Sequence, residues 1–284
     1  MLKDFIKPRT VAEAVKDHEN NQGYFYIAGG TEILSDGYPV TRDGIRGLID
    51  LSSLGLKRIK AEEGMLVIEP MATLQELADY TGTGKPHFEI LREAALNVSN
   101  RNIRNRATIG GNIAVCKSCS DMIPALMVMD AELEVAITYS KRAPVTILDY
   151  IIQSDKGLIT SIRIPRKENF FAGIRRYTRT ANDLALVNVC LGIQLEGNAI
   201  RDARLAVGGV AKTVMRMPAA EQLLLGRKIS EGMEGLASSL RDCIEKSVRP
   251  LDDHRGKAWF KRELAGGLAV QALYAAARKG GAAR

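Results

Sequence analysis

Histidine and aromatic residues are scarce in this sequence, and long apolar runs are absent. His18, His87 and His254 are the three histidines of 284 residues, and none has a partner at ligand spacing, which argues against a histidine-based metal centre. Aromatics make up 5% of the chain. Nucleic-acid binders interleave rings or a known motif with concentrated basic residues, and neither occurs here. The longest apolar stretches, "MIPALMVMDA" and "LAGGLAVQALYAAA", are too short or too interrupted to cross a bilayer. "MLKDFIKPRT" carries charges where a signal peptide has its apolar segment. These features lead us to expect a cytoplasmic protein with no membrane span and no nucleic-acid partner.

What is present is ordinary for a folded enzyme or binding protein. Lys and Arg number 40 against 33 Asp and Glu, a net charge of +7. They are spread along the chain, as on a solvated surface with patches for an acidic partner. The length allows one large core or two moderate ones, two being favoured. Cys190 and Cys243 lie in regular apolar or amphipathic patterns and read as buried thiols. Cys116 and Cys119 alone have ligand-like spacing, but a structural metal site needs four ligands. Incidental loop thiols, a redox pair or a metal site all remain open for them.

Local patterns place most elements. Thr10 and Glu13 form a capping box before a helix over residues 10–20, and Thr73 and Glu76 form a second one. "GYFYIAGG" reads as a strand ending in a glycine turn, and "GIRGLIDL" and "GMLVIEPMAT" read as further strands. "HFEILREAALNVSN" is helical in character. A loop containing "ATIGGNIAVCKSCSD" follows, then an apolar segment from Met122 and the strands "AELEVAITY" and "LITSIRIP". "ALVNVCLGIQLEGNAIRDARLAVGGVA" suggests a hairpin turned at Gly197 and Asn198. "SEGMEGLASSLRDCIEKSV" and "RGKAWFKRELAGGLAVQALYAAAR" carry helical periodicity. A change of composition near residue 170 suggests a domain boundary.

Two glycine pairs, in "YIAGGTEI" and "ATIGGNIA", share one context: apolar residues before, a small polar residue after. Each could be a plain turn or bulge in a sheet. Each could also be a turn whose successive N–H groups form an anion nest. Two nests facing each other could hold a pyrophosphate. Four charge-assisted hydrogen bonds would supply about 6–12 kcal/mol, against about 12 for nanomolar affinity. Neither pair fits G-x-G-x-x-G or is followed by G-K-S/T, so the Rossmann and P-loop readings lose their basis. Asp121 could accept hydrogen bonds from ribose or ribityl hydroxyls, or it could cap a turn. "RNIRNR" could be a solvated basic turn or the approach to the glycines, with Arg104 tying the loop to the protein.

Together these residues resemble the FAD-binding subunit of the molybdenum hydroxylases, the xanthine dehydrogenase and carbon monoxide dehydrogenase family. "IAGGTEIL" is similar to that family's first flavin loop. "IRNRATIGGNIA", with the downstream Asp121 and "PAL", is similar to its second. "GLIDLSSLGLKRI", "LVIEPMATLQEL", "RRYTRTANDLALVNV" and "RGKAWFKRELAGGLA" extend the resemblance essentially end to end. It implies an α+β fold: a FAD-binding domain of the vanillyl-alcohol-oxidase type, residues 1–170 in two subdomains split near 55. A C-terminal α+β flavoprotein domain, 171–284, follows.

The resemblance also implies chemistry. Noncovalent FAD would pass electrons from iron–sulfur clusters of a 2Fe-2S small subunit to NAD+ or another acceptor. A large partner subunit would hold the molybdopterin. The first loop assigns Tyr26, Ile27, Ala28, Gly29, Gly30, Thr31, Glu32 and Ile33 to the cofactor. The second assigns Thr108, Ile109, Gly110, Gly111 and Asn112, with Asp121 as the downstream acid. Ile159 matches a position whose backbone meets the ring edge, and Arg175 matches a basic position that would favour an anionic reduced flavin. No histidine falls in either loop, so covalent attachment is not expected, and no side chain is assigned a catalytic role. The iron–sulfur insertion of some relatives needs more cysteines than this chain has, so neither cluster nor metal is expected here. "SDGYPVTRDG" after the first loop and "VCKSC" after the second depart from the family pattern and bear on which acceptor reaches the ring. A different class of protein, a scaffold subunit that keeps the fold without flavin turnover, is the alternative.

Overall fold

Several helix starts in this chain, those after Thr10, Thr73, Asn100 and Thr146, are set by side chains that satisfy free N–H groups. The computed structural model describes residues 4–35, 44–62, 64–84, 87–153, 156–229 and 233–281. Most of the "SDGYPVTRDG" departure, 36–43, lies outside them, as do 230–232 before the first C-terminal helix. By compactness the chain divides into two units, each gathered from three stretches. The first comprises Met1–Leu77, Asn100–Val115 and Ala131–Ile164; the second comprises Ala78–Ser99, Cys116–Asp130 and Pro165–Arg284.

In the first unit, β1 (Asp4–Ile6), β2 (Tyr24–Ile27) and β3 (Gly47–Asp50) make a parallel sheet in the order β1-β3-β2. The helix α1 (Val11–Asn20) connects the first two strands. Thr10 Oγ1 accepts the Glu13 N–H at 3.1 Å, while the Glu13 carboxylate takes the N–H of Arg9 at 2.8 Å, one residue earlier than a full capping box would place it. Ala14 and Val15 of α1 pack with Ile49, Leu51, Ala136 and Leu158 into this unit's core, flanked by Tyr24, Tyr26 and Ala28. β4 (Ile59–Glu62), β5 (Met65–Ile68), β6 (Glu132–Thr138), β7 (Lys141–Thr146) and β8 (Leu158–Pro165) form a second sheet in the order β4-β5-β8-β6-β7, with the helix α7 (Ile147–Ile152) between β7 and β8. The helix α2 (Leu74–Asp79) starts on a complete capping box: Thr73 N–H to Glu76 Oε2 at 2.9 Å, and Glu76 N–H to Thr73 Oγ1 at 3.2 Å.

In the second unit, β9 (Phe170–Tyr177), β10 (Val187–Glu196), β11 (Ala199–Gly208) and β12 (Met215–Arg216) form an antiparallel sheet in the order β12-β11-β10-β9. The hairpin turn falls at Gly197 and Asn198, and Gly197 has φ +61° as a two-residue hairpin demands. Along β10 the side chains alternate. Val187, Val189, Leu191, Ile193 and Leu195 enter a core with α8 (Pro218–Leu224), α9 (Glu234–Ser247) and α10 (Ala258–Lys279). Asn188 and Cys190 therefore face the other way, and both are fully buried. The helices α3 (Glu89–Asn97) and α6 (Met122–Val128) also belong to this unit; every residue of α6 is buried. Of the two thiols read as buried, Cys190 is, whereas Cys243 on α9 is half-buried.

Candidate functional site

The first glycine pair closes β2. Tyr26 and Ile27 end the strand, and the Tyr26 ring stacks on His18 of α1 at 4.7 Å between centroids. Burial, then Glu19 and Asp17, push the Tyr26 hydroxyl above the usual phenol range, so it stays neutral. Gly29 packs its Cα face on the Arg106 carbonyl so closely that a Cβ would overlap the oxygen. Arg106 Nη2 lies 3.5 Å from the Gly29 carbonyl, the outer limit of a hydrogen bond. Gly30 has φ +74°, the left-handed region where glycine is favoured. Thr31, Glu32 and Ile33 continue into a turn closed by the Leu34 N–H on the Gly30 carbonyl at 3.2 Å. Among the described residues, the N–H groups of Gly29, Gly30 and Thr31 have no acceptor.

The second pair is not the turn that its sequence suggests. Gly110 and Gly111 lie in the first turn of α5 (Ile109–Val115). Their donors are already used. The Ile109 N–H goes to Ala72 O at 3.0 Å, that of Gly110 to Pro70 O at 2.9 Å, and that of Gly111 to Thr108 Oγ1 at 3.1 Å. Asn112 donates to Thr108 O at 2.9 Å. Two facing nests are therefore corrected to one nest and one helix start: the apolar and polar flanks are alike, but Pro70 and Ala72 capture the second pair's backbone. Gly110 needs its missing Cβ, which would stand 2.5 Å from Pro70 Cβ. Gly111 needs it far less. A Cβ there would meet Thr108 Oγ1 at 3.0 Å and, among the described residues beyond its own helix's backbone, no other atom within 4 Å.

"RNIRNR" is likewise partly helical, as α4 (Arg101–Arg104), with Asn100 Oδ1 capping the Ile103 N–H at 3.0 Å. Arg104 Nε donates to Gln75 Oε1 of α2 at 3.0 Å, the anchoring expected of it. Ile159 is buried in β8, opposite Val135. The β6–β8 register shifts just there, so Thr160 is an extra residue between the pairs Val135–Ile159 and Glu134–Ser161, and its hydroxyl donates to Glu134 O at 3.0 Å. Such bulges locally break the ladder and re-aim the strand.

The remaining assigned residues belong to the second unit. Asp121 occupies the N-cap position of α6 without capping it; Ser120 Oγ takes the Ile123 N–H instead, at 3.2 Å. The Asp121 carboxylate is 6% exposed and is held by Arg176 Nη1 on Oδ2 and by Asn188 Nδ2 on Oδ1, both at 3.0 Å. Burial raises its pKa, against the opposing pull of Arg176 and Asn188. Arg175 pairs across the ladder with Val189, a residue of the face packed on α9 and α10, whereas Arg176 pairs with Asn188. Alternation thus puts Arg175 and Asp121 on opposite faces of the sheet. Arg175 donates to its neighbour's carbonyl, Ile174 O, at 2.7 Å and has no acidic partner among the described residues. Sequence reading missed Arg106, Arg176 and Asn188, because nothing local marks an arginine or asparagine as a clamp. Cys116 has φ +54° and is half-buried, Cys119 is buried, and neither is in a disulfide among the described residues. Among the described residues no group of His, Cys, Asp and Glu is gathered for a metal ion, and no helix is long and apolar enough to cross a membrane.

Two family models match the chain in succession, whereas the two compact units are interleaved along it. Residues 2–167 match the family described as the FAD binding domain in molybdopterin dehydrogenase, and 173–276 match the CO dehydrogenase flavoprotein C-terminal domain. The glyceraldehyde dehydrogenase medium chain of Sulfolobus acidocaldarius is 25% identical over 279 residues, 95% of this chain and 96% of the relative. The nicotine 6-hydroxylase medium subunit of Paenarthrobacter nicotinovorans is 25% identical over 270 residues, 92% of each. A chain of carbon monoxide dehydrogenase from Hydrogenophaga pseudoflava superposes with TM-score 0.88 at 24% identity, covering 98% of both chains, which shows a shared fold.

Proposed function

The chain belongs to the FAD-binding subunits of the molybdopterin dehydrogenases, the molybdenum hydroxylase family, and on that premise we propose that it is the flavoprotein component of a heteromeric, cytoplasmic xanthine dehydrogenase-like complex. A large subunit with molybdopterin and a small 2Fe-2S subunit are its proposed partners. FAD, when bound, supplies one-electron and hydride transfer between the small subunit's clusters and NAD+ or another soluble acceptor. We place the division between the cofactor domain and the C-terminal domain at residue 170, with two subdomains meeting near 55.

One observation carries the reading for this chain's own residues. The segment Gly29–Thr31 presents three N–H groups without acceptors among the described residues, and its backbone is braced against Arg106. Such a nest suits a diphosphate. Three charge-assisted bonds supply about 4.5–9 kcal/mol, less than the four-donor estimate. The balance must come from apolar contact, which is the part proposed for Tyr26, Ile27, Ala28 and Ile33, with Glu32 as a further polar contact. Thr108, Ile109, Gly110, Gly111 and Asn112 contribute a smooth helix start rather than donors, and Gly111 keeps it open to a ligand. The Ile159 backbone, at the bulge, is the proposed contact to the ring edge. In the second unit, Asp121 is the proposed acceptor of cofactor hydroxyls, since Arg176 and Asn188 leave each carboxylate oxygen one further acceptor site. Arg175 offers a cation without an acidic partner among the described residues.

The visible absorption spectrum of the purified chain tests this, followed by chromatography of whatever heat releases. A flavin spectrum with released FAD is expected. A colourless chain that takes up no added FAD, alone or co-expressed with its partners, would favour the scaffold role.

A further inference from the structure

We infer that a row of three residues across the second unit's sheet, Arg176, Asn188 and Gly208, exists to fix the Asp121 carboxylate for its ligand, Arg176 and Asn188 by hydrogen bonds and Gly208 by the room it leaves. The inference rests on the reading of Asp121 as a contact for cofactor hydroxyls.

The register aligns the row. Arg176 lies opposite Asn188 in the β9–β10 pair, and Asn188 lies opposite Gly208 in the β10–β11 pair. Directly opposed residues share a face. On that face the Asn188 side chain is 0% exposed and donates through Nδ2 to both Asp121 Oδ1, at 3.0 Å, and Ser120 O, at 2.9 Å. Its Oδ1 is buried and finds no donor among the described residues. A group kept only for stability would not leave a buried acceptor orphaned, because that forfeits the acceptor's hydration with no bond in return. The amide is held in this orientation because its donor end is needed at residues 120 and 121.

Gly208 makes the orientation possible. A Cβ at 208 would overlap Asn188 Oδ1 and stand 2.5 Å from Ser118 O, displacing the amide and the 118–121 segment together. The Gly209 N–H fastens the same segment by donating to Ser118 O at 2.8 Å. Arg176 closes the arrangement from β9. Its guanidinium binds Asp121 Oδ2, the Asn97 carbonyl at the end of α3, and the Asp183 carbonyl. A planar fork spread over three acceptors fixes the carboxylate's position as well as its charge. Asp121 and Arg176 are the charged side chains of the arrangement itself, since Asp183 bonds Arg176 through its backbone; farther along the same face stand Arg204 and Asp202, opposite Gly192 and Gln194, and Glu93 of α3 and Lys279 of α10 act on Cys190.

The test is a double-mutant cycle on FAD affinity. The full-length apoprotein is titrated with FAD, and quenching of flavin fluorescence gives the dissociation constant. Asp121→Ala should weaken binding about tenfold, the scale of one charge-assisted hydrogen bond. Asn188→Asp replaces a donor with a carboxylate of the same shape beside Asp121. It should weaken binding by a similar factor at about pH 8 and recover at about pH 6, where one proton shared between the two carboxyls restores a donor. The wild type, with Asn188 as the donor, should show no such recovery on acidification. In the Asp121→Ala background the Asn188 substitution should have no further effect on affinity. Circular dichroism of each apoprotein reports the fold, and Asn188→Ser, which is too short to reach Asp121, carries the same cycle if the aspartate variant does not fold. Equal losses with and without Asp121 would show that Asn188 is merely structural and overturn the inference. An Asp121→Ala variant that binds FAD as the wild type does would instead overturn the reading of Asp121 beneath it.

Discussion

Gly29–Gly30 and Gly110–Gly111 have the same flanks in sequence and opposite states in the structure. The first pair ends a strand, one member is left-handed, and its N–H groups lack acceptors among the described residues. The second opens a helix, neither member has positive φ, and both N–H groups are bonded within the protein. Within each pair the two glycines also differ. Gly29 and Gly110 are required by close packing against Arg106 and Pro70, Gly30 is required by its φ, and Gly111 has neither requirement to the same degree. A doubled glycine can therefore serve the fold with one residue and leave the other for whatever approaches from outside.

Substitution by alanine separates those roles. Gly29→Ala should have the largest effect, because its methyl would overlap a backbone carbonyl that the turn cannot move aside. We expect a loss of about 3 kcal/mol or more, read as a lower urea midpoint of the apoprotein. Gly110→Ala comes next. Its methyl strikes Pro70 Cβ at 2.5 Å, costing about 1–3 kcal/mol by overpacking, of which helix propensity returns up to about 1. If both variants melted like the wild type, the packing distinction would be void.

Gly30→Ala should lose about 1–2 kcal/mol, the penalty of a side chain in the left-handed region. The nearest atoms are flexible ends of Leu34 and Ile27, at 3.1 and 3.4 Å, so packing adds little. Asn tolerates that region better than most residues, so Gly30→Asn should recover part of the loss in the same denaturation experiment. A full loss in the asparagine variant would point to crowding rather than φ.

How much of this the sequence disclosed depends on the range of the interaction. The strand before Gly29, the helix at Val11, the full capping box at Thr73 and the hairpin turn at Gly197 were legible, because residues within four positions decide them. The helical state of Gly110 was not, since it is set by Pro70 and Ala72, about forty positions away. Arg175 drew notice and Arg176 did not, although Arg176 holds Asp121. Adjacent arginines differ only in the face they occupy, and that face is assigned by the ladder to Val189 and Asn188. The orphaned Asn188 acceptor and the space at Gly208 are likewise products of register.

Gly111→Ala should have the smallest effect on stability and is the sharpest test of the comparison. Helix propensity favours alanine by up to about 1 kcal/mol. The methyl would sit 3.0 Å from Thr108 Oγ1, a side-chain atom that must give way slightly. Thr108 Oγ1 also accepts the Gly111 N–H at 3.1 Å, so a small shift strains that bond and uses up part of the gain. The net change in the urea midpoint should be close to zero. FAD retention should nevertheless fall, and Gly111→Val should abolish it while circular dichroism stays native, because a β-branched group fills the space left open to a ligand. Full flavin content in both variants would show that the second pair serves the protein's own packing alone, leaving Gly29–Thr31 as the part of the chain's two glycine motifs proposed to meet the diphosphate.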